Sequence, residues 1–346
     1  MMVKYTKILV ILLIILFCIP RSVFPQKSGV IIGLRHDQIL DQPLPYGEDV
    51  SASRFANYRT LWIFSNEQDS ISSCKIQNFL LVPGKNTFWK IQVFRQKESD
   101  WVEDFIISNP IDQSTQLPFL DSLIVAECEG NKRLSIIFVG TDYLSYEGGS
   151  DGYCEGAAHP WHVNYLKTVS LDDPSGEGVD ISAILGQDAK SALLQGARDY
   201  FTRKGDERLN PAPDEKNWGL IRRRGHWVLR GQLDYSSEVY RGQFAHFDIP
   251  FSTTQKLVGF DLLSVPWKKI KELVPKARDA ITSPNKNLLI ILTKDHLLVY
   301  SISLDSNLKL IQKTALIPNE FLIMAQWAIG EYVDKWNATI KDFLNR

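Results

Sequence analysis

Short runs of β-branched and aromatic residues, each closed by Gly, Pro, Asn or Asp, fill the first half of this chain and constrain its fold most. Arg59 to Phe64, Phe79 to Val82, Trp89 to Phe94, Leu123 to Cys128 and Leu134 to Val139 all have this character. Such side chains suit a pleated, half-buried surface, and the bounding residues suit turns. The spacing predicts an antiparallel sheet. Gly84-Lys85-Asn86 separates two of the runs at hairpin length, and Ser108 to Pro118 reads as a polar loop bounded by proline.

After residue 150 the periodicity changes. Ala189, Ala192, Leu193, Ala197 and Tyr200 recur at helical spacing, which predicts an amphipathic helix over 187–201 lying on a sheet. The charged stretch Lys204 to Lys216, with Pro211 and Pro213, is expected to be a surface loop. Gly225 to Leu233 and Gly242 to Phe251 are further strand candidates, and Trp267 to Ala280 reads as a helix interrupted at Pro275. Leu288 to Thr293 and Leu297 to Ile302 flank Lys294-Asp295-His296 and form the clearest hairpin. With the preceding Ser283-Pro284-Asn285 it resembles one hairpin of a propeller blade. A single occurrence does not build a propeller, so an isolated hairpin is expected. Asn319 is placed to cap a terminal helix with Phe321, Ala325, Ala328, Tyr332 and Trp336 on one face. The expected fold class is therefore α+β, with antiparallel sheets, packed helices and a β-rich N-terminal half.

Residues Ile8 to Pro20 form a thirteen-residue apolar run, with Lys4 and Lys7 before it and Arg21 after it. A bilayer-spanning helix needs about 20 apolar residues, so the pattern is that of an export signal or a short N-terminal anchor. The expected location is extracytoplasmic, whether periplasmic, secreted or held to the membrane by an uncleaved N-terminal segment. Cys18 falls inside the run and reads as an inert apolar residue. Beyond it lie Cys74, Cys128 and Cys154, an odd number in an oxidising compartment. One disulfide and one spare thiol is the simplest arithmetic, with Cys128 and Cys154 the preferred pair because they flank a strand and the loop after it.

About 320 residues remain, 44% of the whole chain is hydrophobic and nine residues are Trp, so a real core is expected. The formal net charge is -1, from 39 basic and 40 acidic residues, which recommends no nucleic acid partner. The single basic run, Arg222-Arg223-Arg224, reads as a solvated loop. The sequence contains no G-x-S-x-G elbow, P-loop, C-x-x-C or H-E-x-x-H, and no cofactor is expected.

The most unusual local chemistry is the stretch Gly148 to His162, which reads as a glycine-rich loop. Asp151, Tyr153, Glu155, His159, Trp161 and His162 are the candidate binding residues, the aromatics offering flat apolar faces to sugar rings. Asp151, Glu155, His159 and His162 are also groups that move protons or ligate a metal, which is the hydrolase alternative. His159-x-x-His162 is interrupted by Pro160, so no helix fixes it as a metal site, and no metal is expected.

Gly156-Ala157-Ala158-His159-Pro160, the turn from Asp172 to Gly176, the stretch Val179 to Leu185, and Gly225, Tyr240, Gly242 and Ile249-Pro250-Phe251 together carry a family resemblance. Over residues 146–265 the chain resembles the DUF3298-like domains of bacterial extracytoplasmic proteins, found in certain anti-sigma factors and beside peptidoglycan deacetylase domains. The resemblance implies helices against an antiparallel sheet in a sensing or wall-associated module without catalysis of its own. The expected organisation is a signal or anchor over 1–26, a β-rich region over 27–145, the DUF3298-like region over 146–265 and a C-terminal hairpin and helix over 266–346. The expected function is that of an exported, non-catalytic envelope protein that binds a cell-wall glycan or another envelope protein.

Overall fold

The computed structural model describes residues 27–39, 54–65, 71–98, 101–113, 128–154, 161–235, 243–303 and 305–345. Among the described residues strand outweighs helix by 53% to 17%, and the strands form four small sheets arranged like a four-bladed β-propeller. This corrects the α+β expectation. The helices are few and cover sheet faces and ends, whereas sheet-to-sheet packing builds the core.

The first sheet joins β1 (Ser28–Ile39), β2 (Arg54–Ser65) and β3 (Ile71–Gln77) to β17 (Phe321–Ile329), in the order β17-β1-β2-β3. β1 and β17 pair antiparallel from Ser28↔Ile329 to Arg35↔Phe321, so segments about 290 residues apart close one sheet. The terminal helix expected from Asn319 onward is thus corrected over its first half. Residues 322–324 are all buried, as in a strand covered on both faces, and Asn319 has a left-handed backbone (φ 68°) instead of capping a helix. Helix begins only at Glu331, after Gly330 turns with φ 62° and its N–H donates to the Lys27 carbonyl at 2.9 Å.

The second sheet runs β4 (Leu80–Pro83), β5 (Phe88–Glu98), β6 (Trp101–Pro110), β7 (Cys128–Val139), β8 (Tyr143–Cys154) and β9 (Trp161–Ser170), in that order. Its seam is β6·β7, which is parallel and pairs only Glu103↔Lys132. Side chains replace the missing ladder there. Asp104 accepts from the Leu134 N–H at 3.0 Å while paired with Arg95, and Asn131 Oδ1 accepts from the Val102 N–H at 3.1 Å.

The third sheet contains β10 (Trp218–Arg223), β11 (His226–Asp234) and β12 (Phe244–Asp248), and the fourth β13 (Asp279–Thr282), β14 (Leu288–Leu292), β15 (His296–Ile302) and β16 (Leu308–Ala315). The hairpin read as isolated is β14–β15, the centre of this fourth sheet. Among the described residues four helices accompany the strands: α1 (Ile181–Leu185), α2 (Gln187–Lys204), α3 (Trp267–Leu273) and α4 (Glu331–Leu344). α2 buries Ala189, Leu193 and Ala197 as its periodicity predicts. One apolar cluster draws on all four sheets and on α2, with Ile32 and Leu34 of β1, Phe138 of β7, Trp218 and Leu229 of the third sheet and Ile290 of the fourth. At roughly 25 cal/mol per Å² of apolar surface removed from water, this contact between blades is what holds the ring together.

Candidate functional site

The stretch Gly148 to His162 is corrected from loop to hairpin. β8 extends through Cys154 and β9 starts at Trp161, with Gly152↔Trp161 and Asp151↔His162 as cross-strand pairs. Gly148 is required by packing. A Cβ on Gly148 would lie 2.1 Å from the Tyr165 ring of the facing strand. Asp151 is ion-paired with Arg133 and accepts from Asn131 Nδ2 at 3.2 Å. The His162 ring hydrogen-bonds Asn164 at 3.0 Å, and Tyr153 is exposed. The expected residues Glu155 and His159 lie outside the described residues, as do the side chains of Trp161, Cys128 and Cys154. Of the predicted cluster, the structure brings Asp151 and His162 into register and engages each with another neighbour. Among the described residues no group of three or more His, Cys, Asp or Glu side chains gathers to hold a metal ion.

β7 and β8 bring the backbones of Cys128 and Cys154 opposite each other in antiparallel register. Cys74 is a half-buried free thiol, and burial raises its pKa above the usual thiol value.

A large charged cavity lies elsewhere, where the four sheets meet. It encloses about 570 Å³ and is lined from β1 by Arg35 and Asp37, from the second sheet by Ile137 and Glu147, from the third by Arg222 to Arg224 and Arg230, and from the fourth by Arg278 and Asp279. Glu320 and Phe321, at the entry to β17, complete it. Six arginines face four carboxylates, so the lining carries an excess of positive charge.

Local folding fixes these arginines. β10 and β11 pair from Trp218↔Gly231 to Arg223↔His226, leaving Arg224-Gly225 as a two-residue turn with φ of 49° and 90°. Positive φ at both positions is what the right-handed twist of a tight hairpin demands, and glycine supplies the second. The Gly225 N–H donates to Asp279 Oδ1 at 2.6 Å, pinning the turn to the fourth sheet. Arg222 is nearly buried and spans two carboxylates, donating to Asp279 Oδ2 at 2.9 Å and Asp261 Oδ1 at 2.8 Å, and also to the Ala280 carbonyl at 2.7 Å. Its guanidinium lies over the Trp227 ring at 5.2 Å. Arg35 donates to Asp37 at 2.6 and 3.0 Å and lies over the Phe321 ring. Arg223 pairs with Asp248.

The remaining three differ. Arg224, Arg230 and Arg278 form no ion pair among the described residues, and the Arg230 Nε is buried without a hydrogen-bond partner among them. Burial lowers the Arg230 pKa from the usual guanidinium value, Glu147 opposes that shift, and Arg223 adds to it. The carboxylates Asp37, Asp279 and Glu320 are each occupied by an arginine, Glu320 by Arg59. A cavity so arranged presents guanidinium forks to an anion and little free base.

Sequence reasoning missed this site. The triple arginine was visible, but its reading as a solvated loop failed because Asp248, Asp261 and Asp279, which order two of the three side chains, are distant in sequence and come from β12, from the segment after it and from the fourth sheet. No protein-family model matches the chain, and no curated protein is similar to it.

Proposed function

We propose that this chain is an exported, non-catalytic binding protein that takes an anionic group of an envelope ligand, a wall polymer or a protein partner, in its arginine-lined axial cavity. The observation that carries the reading is the trio Arg224, Arg230 and Arg278, three guanidinium groups turned to one cavity with no carboxylate of their own among the described residues. Planar guanidinium binds carboxylate or phosphate through paired N–H donors, and a site walled by protein weakens the competition from water. Binding is favoured over hydrolysis because three of the four lining carboxylates already hold an arginine, so that Glu147 alone is left as a base. Location rests on the basic residues and apolar run of the first 21 positions.

The test is calorimetric titration of the full chain with inorganic phosphate. Saturable binding that weakens with added salt is expected, and the double variant Arg224→Gln/Arg278→Gln should lose about tenfold or more in affinity with an unchanged melting temperature, since both side chains lie at the surface. Equal affinity in both proteins would overturn the reading.

A further inference from the structure

A second cavity, of about 310 Å³, shares Arg223 and Arg230 with the axial one. Its other walls are Asp199, Tyr200 and Arg203 of α2, and His246, Phe247 and Asp248 of β12 with Pro250 beyond, so two carboxylates stand beside the three arginines. Gly196 makes the cleft narrow, because a Cβ there would lie 2.9 Å from the Asp248 carbonyl oxygen and so would hold α2 away from β12. Two buried nitrogens end in this region without a hydrogen-bond partner among the described residues, Arg230 Nε and His246 Nε2. Each such orphan is costly to leave without a hydrogen-bond partner. Arg203, exposed on α2, adds a third donor and lies over the Tyr200 ring at 5.6 Å.

We propose that the cleft between α2 and β12 binds a second anionic group, and that with Arg223 and Arg230 as a shared rail the two cavities take one extended polyanion. The inference rests on the reading of the axial cavity as an anion site and names the ligand class for it, a chain bearing phosphate or carboxylate groups at intervals. Arg230 has one face on each cavity, so an anion in either one neutralises the same guanidinium group. His246 Nε2 has no exposed surface, so its ring must turn toward the cleft to donate to a ligand oxygen, and Arg203 closes the outer side. A single small anion satisfies one of these groups of donors. A chain satisfies both, and joining two weak contacts on one molecule raises affinity without new chemistry.

The experiment titrates the full chain with inorganic phosphate, long-chain linear polyphosphate and poly-L-glutamate. At least one polymer should bind about a hundredfold more tightly than phosphate, and which one does so identifies the repeating group. Arg203→Gln and His246→Gln should each weaken polymer binding about fivefold or more. Arg198→Gln, a charge-matched change on α2 outside the cleft, should not weaken it. Unfolding by His246→Gln would leave Arg203→Gln, an exposed position, as the deciding variant. Polymer affinity that is unchanged in Arg203→Gln, or no tighter than phosphate, overturns the second site while leaving the axial reading intact if Arg224→Gln/Arg278→Gln still weakens phosphate. Phosphate affinity indifferent to that double variant overturns the axial reading and this inference with it.

Discussion

The Arg59 guanidinium on β2 grips the Glu320 carboxylate at the entry to β17 from two sides, with both side chains buried, 7% and 1% exposed. Arg59 Nε donates to Glu320 Oε1 at 2.6 Å, and the Ile317 N–H donates to Oε2 at 2.8 Å. The pair ties the second strand of the chain to the turn that launches the last one, in the sheet that joins both ends of the described fold. Removing one partner leaves the other charge buried and alone. Glu320→Ala should therefore destabilise the protein by about 3–5 kcal/mol, and the double change Arg59→Met/Glu320→Leu by much less. Urea unfolding of the three proteins checks this; equal losses in the single and double variants would contradict it.

Packing at Gly148 gives a second expectation. The Tyr165 ring occupies the space of a Cβ at that position, so Gly148→Ala overpacks the β8–β9 hairpin and should cost about 1–3 kcal/mol. Pairing it with Tyr165→Ser, which removes the ring, should recover part of the loss relative to Tyr165→Ser alone. Thermal melts of the cycle measure the coupling.

His246 sets a pH dependence. Burial first, and Arg230 second, push its pKa down from the ordinary 6.5 to about 4. The unfolded chain then binds the proton more readily than the folded one between those values. The stabilising term is complete above about pH 6.5 and is lost as pH falls through about 4, on the order of 3 kcal/mol in all. His246→Phe should flatten the unfolding free energy over that window. An unchanged slope would show that the imidazole titrates normally.

Cys128 and Cys154, opposite each other across β7 and β8, predict a disulfide if the chain is exported as proposed. Their two thiols would give two protons and two electrons to an external disulfide oxidant, closing the open end of the hairpin. Intact mass under non-reducing conditions, with alkylation before and after reductant, should count two protected thiols. Cys74 should react throughout. Alkylation of Cys128 and Cys154 without reductant in protein recovered from the envelope would contradict both the pairing and the compartment argument behind it.

Local pattern carried single elements but not the fold class, which is mostly β where α+β was expected. α2 was legible because Ala189, Leu193 and Ala197 repeat at 3.6 residues, and β14–β15 because two apolar runs flank a short polar turn. β17 was not. Phe321, Ala325 and Ala328 satisfy helical spacing as well as they populate a strand, and a run apolar on both faces has no alternation to betray it. Only its partner β1, about 290 residues away, decides the matter. The axial cavity was hidden for the same reason. Arg222 reads as solvated beside two other arginines, yet it is ordered by Asp261 and Asp279, and neither carboxylate is near in sequence. The Gly148–His162 stretch shows the converse, where Gly148, which looks like a loop residue, makes room for Tyr165 on a facing strand.

The most direct measurement is crystallographic, with crystals of the full chain soaked in tungstate, a phosphate-shaped anion that scatters strongly. The account predicts an anomalous peak in the axial cavity within hydrogen-bond reach of Arg224, Arg230 or Arg278. Peaks confined to other surfaces, with that cavity left bare, would contradict it.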